Sequence, residues 1–103
     1  MVTTFQKRVL ALTSRVPKGK ITTYKLIACI LKSSPRAVGQ ALRQNPWPVK
    51  IPCHRVVKSS GELGGYSGGV QKKKRLLEKE GIKIKGNRLV DFIRHLFKLK
   101  TKN

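Results

Sequence analysis

Residues 22–43 read TTYKLIACILKSSPRAVGQALR, and this stretch predicts two short helices joined by a tight polar turn. The threonine pair at its start can cap a first helix over residues 24–31. Ser34-Pro35 then supplies a cap and a first helical position for a second helix over residues 36–43. Two helices joined in this way are typical of the helix-turn-helix.

The second of these helices has two interpretations. Ala37 and Gly39 keep its surface slim, so it can lie close against a groove of DNA. The alternative is a plain helical hairpin whose second helix packs into the core. The charge of the chain favours insertion into DNA.

Positive charge dominates the composition. The 103 residues include 24 Lys and Arg and only 4 Asp and Glu, for a formal net charge of +20. All four acids lie after residue 61. A domain this basic repels itself unless an anion neutralises it. We favour the phosphate backbone of a nucleic acid over an anionic membrane surface or a merely solvated surface.

Length and cysteine usage set further limits. The chain is long enough for one domain with one modest core. No apolar run approaches the roughly 20 residues of a membrane span, and the helical periodicity of residues 1–12 argues against a signal peptide. Cys29 and Cys53 could pair by count, but nothing else suggests a secreted scaffold. We therefore expect a reduced protein in the cytoplasm, or in the nucleus if the source is eukaryotic. Cys29 lies in an apolar stretch and is expected to be buried.

The rest of the chain predicts short elements around the two helices. They are a first helix from Thr3 or Thr4 to Pro17, a hairpin wing between Val56 and Tyr66, a helix over residues 70–80 with Leu76 and Leu77 inward and Gly81 after its end, a hairpin turning at Gly86-Asn87, and an amphipathic helix over residues 91–99. These elements predict a mainly α, winged helix-turn-helix-like single domain with a small β wing.

Pro52-Cys53-His54-Arg55 is the run that carries chemistry. Cysteine attacks as the thiolate, and His54, Arg55 and the general positive field would each stabilise that form. His54 can also take the thiol proton, directly or through a water. Glu80 is the best candidate among the four acids to orient the imidazole. Most Cys-His pairs are structural. Here the flanking prolines, the glycine-rich loop at residues 64–69 and the neighbouring helix-turn-helix favour a functional pair.

Six stretches resemble those of the O6-alkylguanine-DNA alkyltransferases, also called methylated-DNA–protein-cysteine methyltransferases. They are ITTY at 21–24, RAVGQAL at 36–42, NP at 45–46, IPCHRVV at 51–57, GGYSGG at 64–69 and LLEKEG at 76–81. The resemblance makes residues 1–90 an alkyltransferase DNA-binding and active-site domain, followed by a basic amphipathic helix and tail at residues 91–103. Trp47 and Lys50 depart from it, because the family more often has aliphatic residues there.

The resemblance implies a catalytic set. Cys53 is the alkyl acceptor, His54 passes its proton through a water, and Glu80 orients His54. Tyr24 donates a hydrogen bond that helps to push out the damaged nucleotide and to neutralise the departing guanine. Asn45 links the recognition helix to the active-site loop.

The resemblance also implies DNA contacts and a base pocket. Arg36 enters the base stack and fills the gap left by the flipped nucleotide. The other implied DNA contacts are Tyr24, Ala37, Gly39, Arg43 and Arg55. The implied pocket residues are Val56, Gly64, Tyr66 and Ser67, the last of which can hydrogen-bond the guanine O6.

Plainer roles remain open for four of these residues. Tyr24 could cap the core, and Arg36 could be only a phosphate contact. His54 could be a structural hydrogen bonder, and Glu80 could be a solvated helix residue. The sequence does not decide between these roles and the implied ones.

The implied reaction is an in-line displacement, in which the thiolate attacks the alkyl carbon and guanine leaves. The thioether product is not reversed, so each molecule reacts once, without a metal or an organic cofactor. The expected partner is double-stranded DNA that contains O6-alkylguanine, with no membrane, and the protein is expected to be a monomer without DNA. Flipping the base out of the stack costs a few kcal/mol.

Two other functions compete with this one. An alkyltransferase-like protein marks lesions without chemistry, but such proteins replace the cysteine, usually with tryptophan, and Cys53 is present. An architectural nucleic-acid protein with an incidental cysteine fits the charge but not the ordered motifs.

Family members usually carry a further N-terminal domain. We expect residues 91–103 to provide packing in its place and to add DNA affinity, so that deleting them lowers the melting temperature or the affinity.

Overall fold

A computed structural model describes residues 3–47, 50–66 and 68–99. Its elements in chain order are α1 (Thr4–Thr13), β1 (Thr22–Thr23), α2 (Tyr24–Leu31), α3 (Pro35–Arg43), a 3-10 turn (Cys53–Arg55), β2 (Val56–Val57), α4 (Val70–Lys79), β3 (Ile84–Lys85), β4 (Arg88–Leu89) and α5 (Phe92–His95). The mainly α, winged helix-turn-helix-like fold expected from the sequence is confirmed. Within the described ranges, no helix is both long enough and apolar enough to cross a bilayer.

The helix-turn-helix forms as its caps predict. The Thr23 hydroxyl accepts the N–H of Leu26 at 3.0 Å, and the Ser34 hydroxyl accepts the N–H of Ala37 at 3.1 Å. Between the two helices, Lys32 adopts a left-handed conformation with φ of 55° and ends α2. These caps start the two helices. Arg36, Gln40 and Arg43 are exposed on the outer face of α3.

Two buried apolar clusters hold the domain together. The first joins α1, α2 and α3 to the cysteine turn, and its members are Val9, Leu10, Leu12, Ile27, Ala28, Val38, Ala41, Leu42, Cys53 and Val56. The second lies under the hairpin and α4, and its members are Ile21, Val57, Leu63, Leu77, Ile82 and Leu89. Strands β1 and β2 pair in parallel where the clusters meet. The candidate cysteine is therefore part of the core.

The predicted wing between Val56 and Tyr66 is wrong. Both residues of β2 are fully buried and pair with β1, which suits an apolar strand covered on both faces. The chain then makes a tight turn in which the Lys58 N–H donates to the Glu62 carbonyl at 2.9 Å. The wing is instead the β3–β4 hairpin, whose turn at Gly86 has φ of 63° as the sequence predicted.

Two predicted helices are shorter than expected. Helix α1 ends at Thr13, before Pro17, because the N–H groups of Arg15 and Val16 donate to carbonyls three residues back and tighten the chain into turns. Helix α5 ends at His95. The chain beyond it runs alongside Ile21, whose carbonyl accepts the N–H of Phe97 at 2.7 Å. This pairing of the segment with Ile21, just before β1, competes with continuation of the helix.

Two burial predictions also need correction. Cys29 is exposed, because Ile27 and Ala28 already occupy the inner face of α2. In α4, Leu77 is fully buried as predicted, whereas Leu76 is half-buried. Gly81 does follow the helix with φ of 90°, the left-handed position that glycine takes at a helix end.

Candidate active site

A cavity of about 970 Å³ opens between the helix-turn-helix and the loop that follows β2. Seven residues singled out in the sequence line it, namely Tyr24, Arg36, Gly39, Arg43, Cys53, Gly64 and Tyr66. Lys25 and Lys58 add two more cations to its lining, and no carboxylate is among the described lining residues. A cavity with this charge suits an anionic ligand.

Cys53 lies at the first position of the 3-10 turn and is 5% exposed. The loop before it is closed by Asn45, whose amide donates to the carbonyls of Trp47 at 3.3 Å and Ile51 at 3.2 Å. The Trp47 N–H returns a hydrogen bond to the Asn45 side chain at 2.9 Å. Asn45 lies two residues after the last residue of α3, so these hydrogen bonds connect the end of that helix to the cysteine loop.

His54, Arg55 and Glu80 form one connected group behind the cysteine. His54 is 1% exposed, and its Nε2 atom lies 2.9 Å from Oε2 of Glu80. The Arg55 guanidinium donates to both oxygens of Glu80, at 2.9 and 2.7 Å, and to the carbonyl of Val16 at 2.8 Å. The proton of a neutral imidazole therefore lies on Nε2, facing the carboxylate, which leaves Nδ1 as an acceptor.

Protonation states follow from these contacts. Burial lowers the pKa of His54 below its usual value, and Glu80 opposes that shift only in part. For Glu80, burial raises the pKa, but the hydrogen bonds from Arg55 and His54 outweigh it and leave the pKa lowered. A neutral imidazole is thus held beside an ionised carboxylate. Nδ1 of His54 is buried and has no hydrogen-bond partner among the described residues.

Lys73 is a site residue that the sequence analysis missed. It is 0% exposed, and its ammonium donates to the carbonyls of Val56 at 2.7 Å and Gly65 at 3.1 Å, and to the Tyr24 hydroxyl at 3.3 Å. Burial lowers the pKa of Lys73 to about 7, with Cys53 acting in the opposite direction. Its position one turn before Leu77 was the signal, because i and i+4 share a helix face.

Two tyrosines complete the wall of the cavity. The Tyr24 hydroxyl lies 3.4 Å from the Gly65 carbonyl, and burial and Cys53 raise the pKa of Tyr24 to about 12. Burial raises the pKa of Tyr66, and the neighbouring Cys53 side chain raises it further. Both phenols therefore keep their protons and can donate to a ligand.

Some site predictions need revision. Arg55 was expected to contact DNA, but its guanidinium is occupied by Glu80 and the Val16 carbonyl. Val56 was expected to line the pocket, but its side chain is fully buried in the first cluster, and it is absent from the cavity lining. Ala37 is half-buried on α3 beside the lining residues. Ser67 lies outside the described residues, so its predicted role stays a prediction.

Comparison with known proteins identifies the family. The profile described as "6-O-methylguanine DNA methyltransferase, DNA binding domain" matches residues 4–82. The chain belongs to this family. A methylated-DNA–protein-cysteine methyltransferase of Methanothermobacter thermautotrophicus is 50% identical over 84 residues, which are 82% of this chain and 48% of that protein. The chain thus spans about half the length of the curated relatives that it matches.

Solved structures of two proteins with DNA have the same fold. OGT of Mycobacterium tuberculosis in complex with DNA superimposes with a TM-score of 0.73 and 42% identity, over 77% of this chain and 49% of that one. Atl1 of S. pombe, in complex with damaged DNA containing O6-carboxymethylguanine, superimposes with a TM-score of 0.80 and 29% identity, over 91% of this chain and 94% of Atl1. The methyltransferase-family profile ends at Ile82, so the β3–β4 hairpin and α5 lie beyond the matched residues.

Proposed function

We propose that this protein repairs DNA by moving an alkyl group from the O6 atom of guanine to the Sγ atom of Cys53, with methyl as the simplest case. One arrangement carries the proposal. Cys53 lines a cavity large enough for a base, and Nδ1 of the next residue, His54, is buried with no hydrogen-bond partner in the described part of the chain. A thiol beside an available base is the arrangement of an activated nucleophile. Membership of the methyltransferase family supports the same reaction.

Activation of the thiol is the first proposed step. The Cys53 thiol gives its proton to Nδ1 of His54, through a water, and the positive charge that develops on the ring is stabilised by Glu80 at 2.9 Å. The lowered pKa of His54 keeps the ring neutral and able to accept that proton at neutral pH. Arg55 holds Glu80 in place through two hydrogen bonds, so it acts as a positioning residue.

Displacement is the second step. The thiolate forms a bond to the alkyl carbon while the bond from that carbon to O6 breaks, and the electron pair leaves with guanine. Guanine then takes up one proton, which balances the proton lost by the thiol. Tyr24 and Tyr66 both line the cavity with protonated hydroxyls and can donate to the leaving base. The product is a thioether on Cys53, and the proposed reaction uses side chains and a water, without a cofactor.

Access to the base requires that the nucleotide leave the duplex, since a base in the stack cannot reach a thiol that is 5% exposed. Arg36, Gly39 and Arg43 line the cavity along α3. We assign α3 as the element that enters the groove, with Arg36 filling the space left in the stack. Double-stranded DNA with O6-alkylguanine is therefore the proposed partner.

A second candidate function is lesion binding without chemistry. The likeness to Atl1 favours it, because that protein was solved in complex with damaged DNA containing O6-carboxymethylguanine. The buried Cys53, next in sequence to an imidazole whose Nδ1 has no hydrogen-bond partner among the described residues, favours transfer instead.

Exchange of the cysteine separates the two functions. Cys53→Ala should abolish the loss of O6-methylguanine from a duplex while leaving binding to that duplex within about twofold, because the side chain lies in the cavity and not on α3. Cys29→Ala is the matched control, since Cys29 is exposed on α2. If repair survives in the Cys53→Ala protein, the proposed mechanism is wrong. If the unchanged protein binds the lesion but never removes it, lesion binding is the function.

A further inference from the structure

Helix α4 carries a stripe of cations along its outer face. Lys72, Arg75 and Lys79, spaced i, i+3 and i+7, are all exposed, whereas Lys73 and Leu77 are the buried residues of this helix. At a rise of 1.5 Å per residue, the stripe extends over about 10 Å. We call Lys72, Arg75 and Lys79 the α4 stripe.

The α4 stripe begins at the rim of the cavity. A Cβ atom placed on Gly68 would lie 2.9 Å from Cδ of Lys72 and 3.1 Å from Cε2 of Tyr66, so these two side chains lie against the same glycine. Tyr66 lines the cavity that also contains Cys53. The other side of this cavity is formed by α3, with Arg36. Cations therefore lie on both sides of the opening.

The α4 stripe is not neutralised within the part of the chain that the structure describes. The ion pairs there are those of Glu80 with His54 and Arg55, and none involves the stripe. Its three cations share a shallow depression with Leu76 and with one carboxylate, that of Glu78. Three positive charges against one negative charge leave a net attraction for a polyanion.

We propose that the α4 stripe is a second contact surface for the phosphate backbone of the damaged DNA. With α4 placed along the duplex axis, the length of the stripe, about 10 Å, spans roughly three phosphates of one strand. The flipped nucleotide then enters between two phosphate-binding surfaces, α3 on one side and α4 on the other. The inference rests on the proposed function in one respect, namely that its ligand is the DNA to be repaired.

The salt dependence of DNA binding tests the proposal. The triple variant Lys72→Gln, Arg75→Gln, Lys79→Gln is compared with a control of equal charge change, Lys7→Gln, Lys18→Gln, Arg94→Gln, whose residues are exposed and lie away from the cavity lining. Affinity for a duplex with one O6-methylguanine is measured from low to moderate salt. Each phosphate contact contributes about 0.9 to the slope of log K against log salt. The stripe variant should lose about 2 to 3 from that slope, and the control should lose less than about 1.

Equal losses in the two variants would mean that only the overall charge matters and would overturn the proposal. An unchanged slope in the stripe variant would also overturn it and would direct the search to an acidic protein partner. Alkyl transfer from free O6-methylguanine base, which has no phosphate, keeps this test separate from the proposed reaction. If the unchanged protein and both variants transfer the alkyl group to Cys53, but the two variants lose equal amounts of salt slope, the proposal for the α4 stripe fails and the proposed reaction stands. If only the stripe variant loses salt slope and no protein transfers the alkyl group to Cys53, the proposed reaction fails and the proposal for the α4 stripe stands.

Discussion

Nε2 of His54 lies 2.9 Å from Oε2 of Glu80. Nδ1 of the same ring is buried and has no hydrogen-bond partner among the described residues. The same carboxylate accepts two hydrogen bonds from Arg55. Glu80 is thus the point at which α4 is joined to the cysteine turn. Stability and proton transfer both depend on it.

Exchange of this carboxylate should weaken the fold. Glu80→Gln removes the charge shared by His54 and Arg55, and hydrogen bonds to charged groups contribute about 1.5–3 kcal/mol each. We expect the free energy of unfolding in urea at pH 7 to fall by about 2 kcal/mol. Because the folded pKa of Glu80 is lowered, its contribution is present above the unfolded value of 4.5 and is lost as the pH falls below it. Glu78→Gln, at an exposed position of α4, should change stability by less than about 0.5 kcal/mol. Equal effects of the two changes would refute the assignment.

Lys73 should make stability rise with pH. Its pKa is about 7 in the folded protein against 10.5 as the ordinary value, so between these limits the unfolded chain binds more protons. The free energy of unfolding should therefore increase from about pH 7.5 to about pH 9.5 in the natural protein. Lys73→Met, which has no ammonium, should show little increase. Urea unfolding at several pH values measures both slopes, and parallel slopes would show that Lys73 is not the group responsible.

Glycine at position 64 should be required for the shape of the cavity. A Cβ there would lie 3.1 Å from Cε2 and 3.2 Å from the hydroxyl of Tyr24, at a residue with φ of +75°. Gly86 has φ of +63° and no atom within 4 Å of such a Cβ, so Gly86→Ala carries the same backbone strain without the contact. Both changes should cost about 1 kcal/mol of stability. Only Gly64→Ala should slow alkyl transfer, by about 10- to 100-fold, because Tyr24 is displaced. Similar rates for the two variants would remove Tyr24 from the reaction.

The C-terminal segment should stabilise the domain through its inner face. Leu96 packs against the second cluster and pairs with Ile21, whereas Ile93 is 75% exposed. We expect Leu96→Ala to lower the free energy of unfolding by about 1–2 kcal/mol and Ile93→Ala to change it by less than about 0.5 kcal/mol. Thermal or urea unfolding measures both. A neutral Leu96→Ala would mean that the segment contributes no packing.

Local signals predicted the parts of the fold that depend on few residues. Thr23 and Ser34 cap their helices as ordinary capping residues do, and Gly81 and Gly86 occupy the left-handed positions that glycine permits. The pairing of His54 with Glu80 was also predicted, because few acids are available in the chain.

Other features depend on contacts between distant residues. Strands β1 and β2 have two residues each, too few for an alternating pattern, and they pair across more than thirty positions. Arg55 lies two residues after the cysteine, and the resemblance implied a DNA contact, but its guanidinium binds Glu80. Lys73 shares the inner face of α4 with Leu77, but its contacts with the carbonyls of Val56 and Gly65 depend on where α4 packs.

The most direct test of the account is the intact mass of the protein after incubation with a duplex that holds one O6-methylguanine. The mass should rise by one methylene, and peptide mapping should assign the gain to Cys53. The gain should reach one equivalent and then stop, because the thioether is not reversed. An unchanged mass in protein that binds the duplex would contradict transfer to Cys53. In that case, lesion recognition without chemistry would become the function.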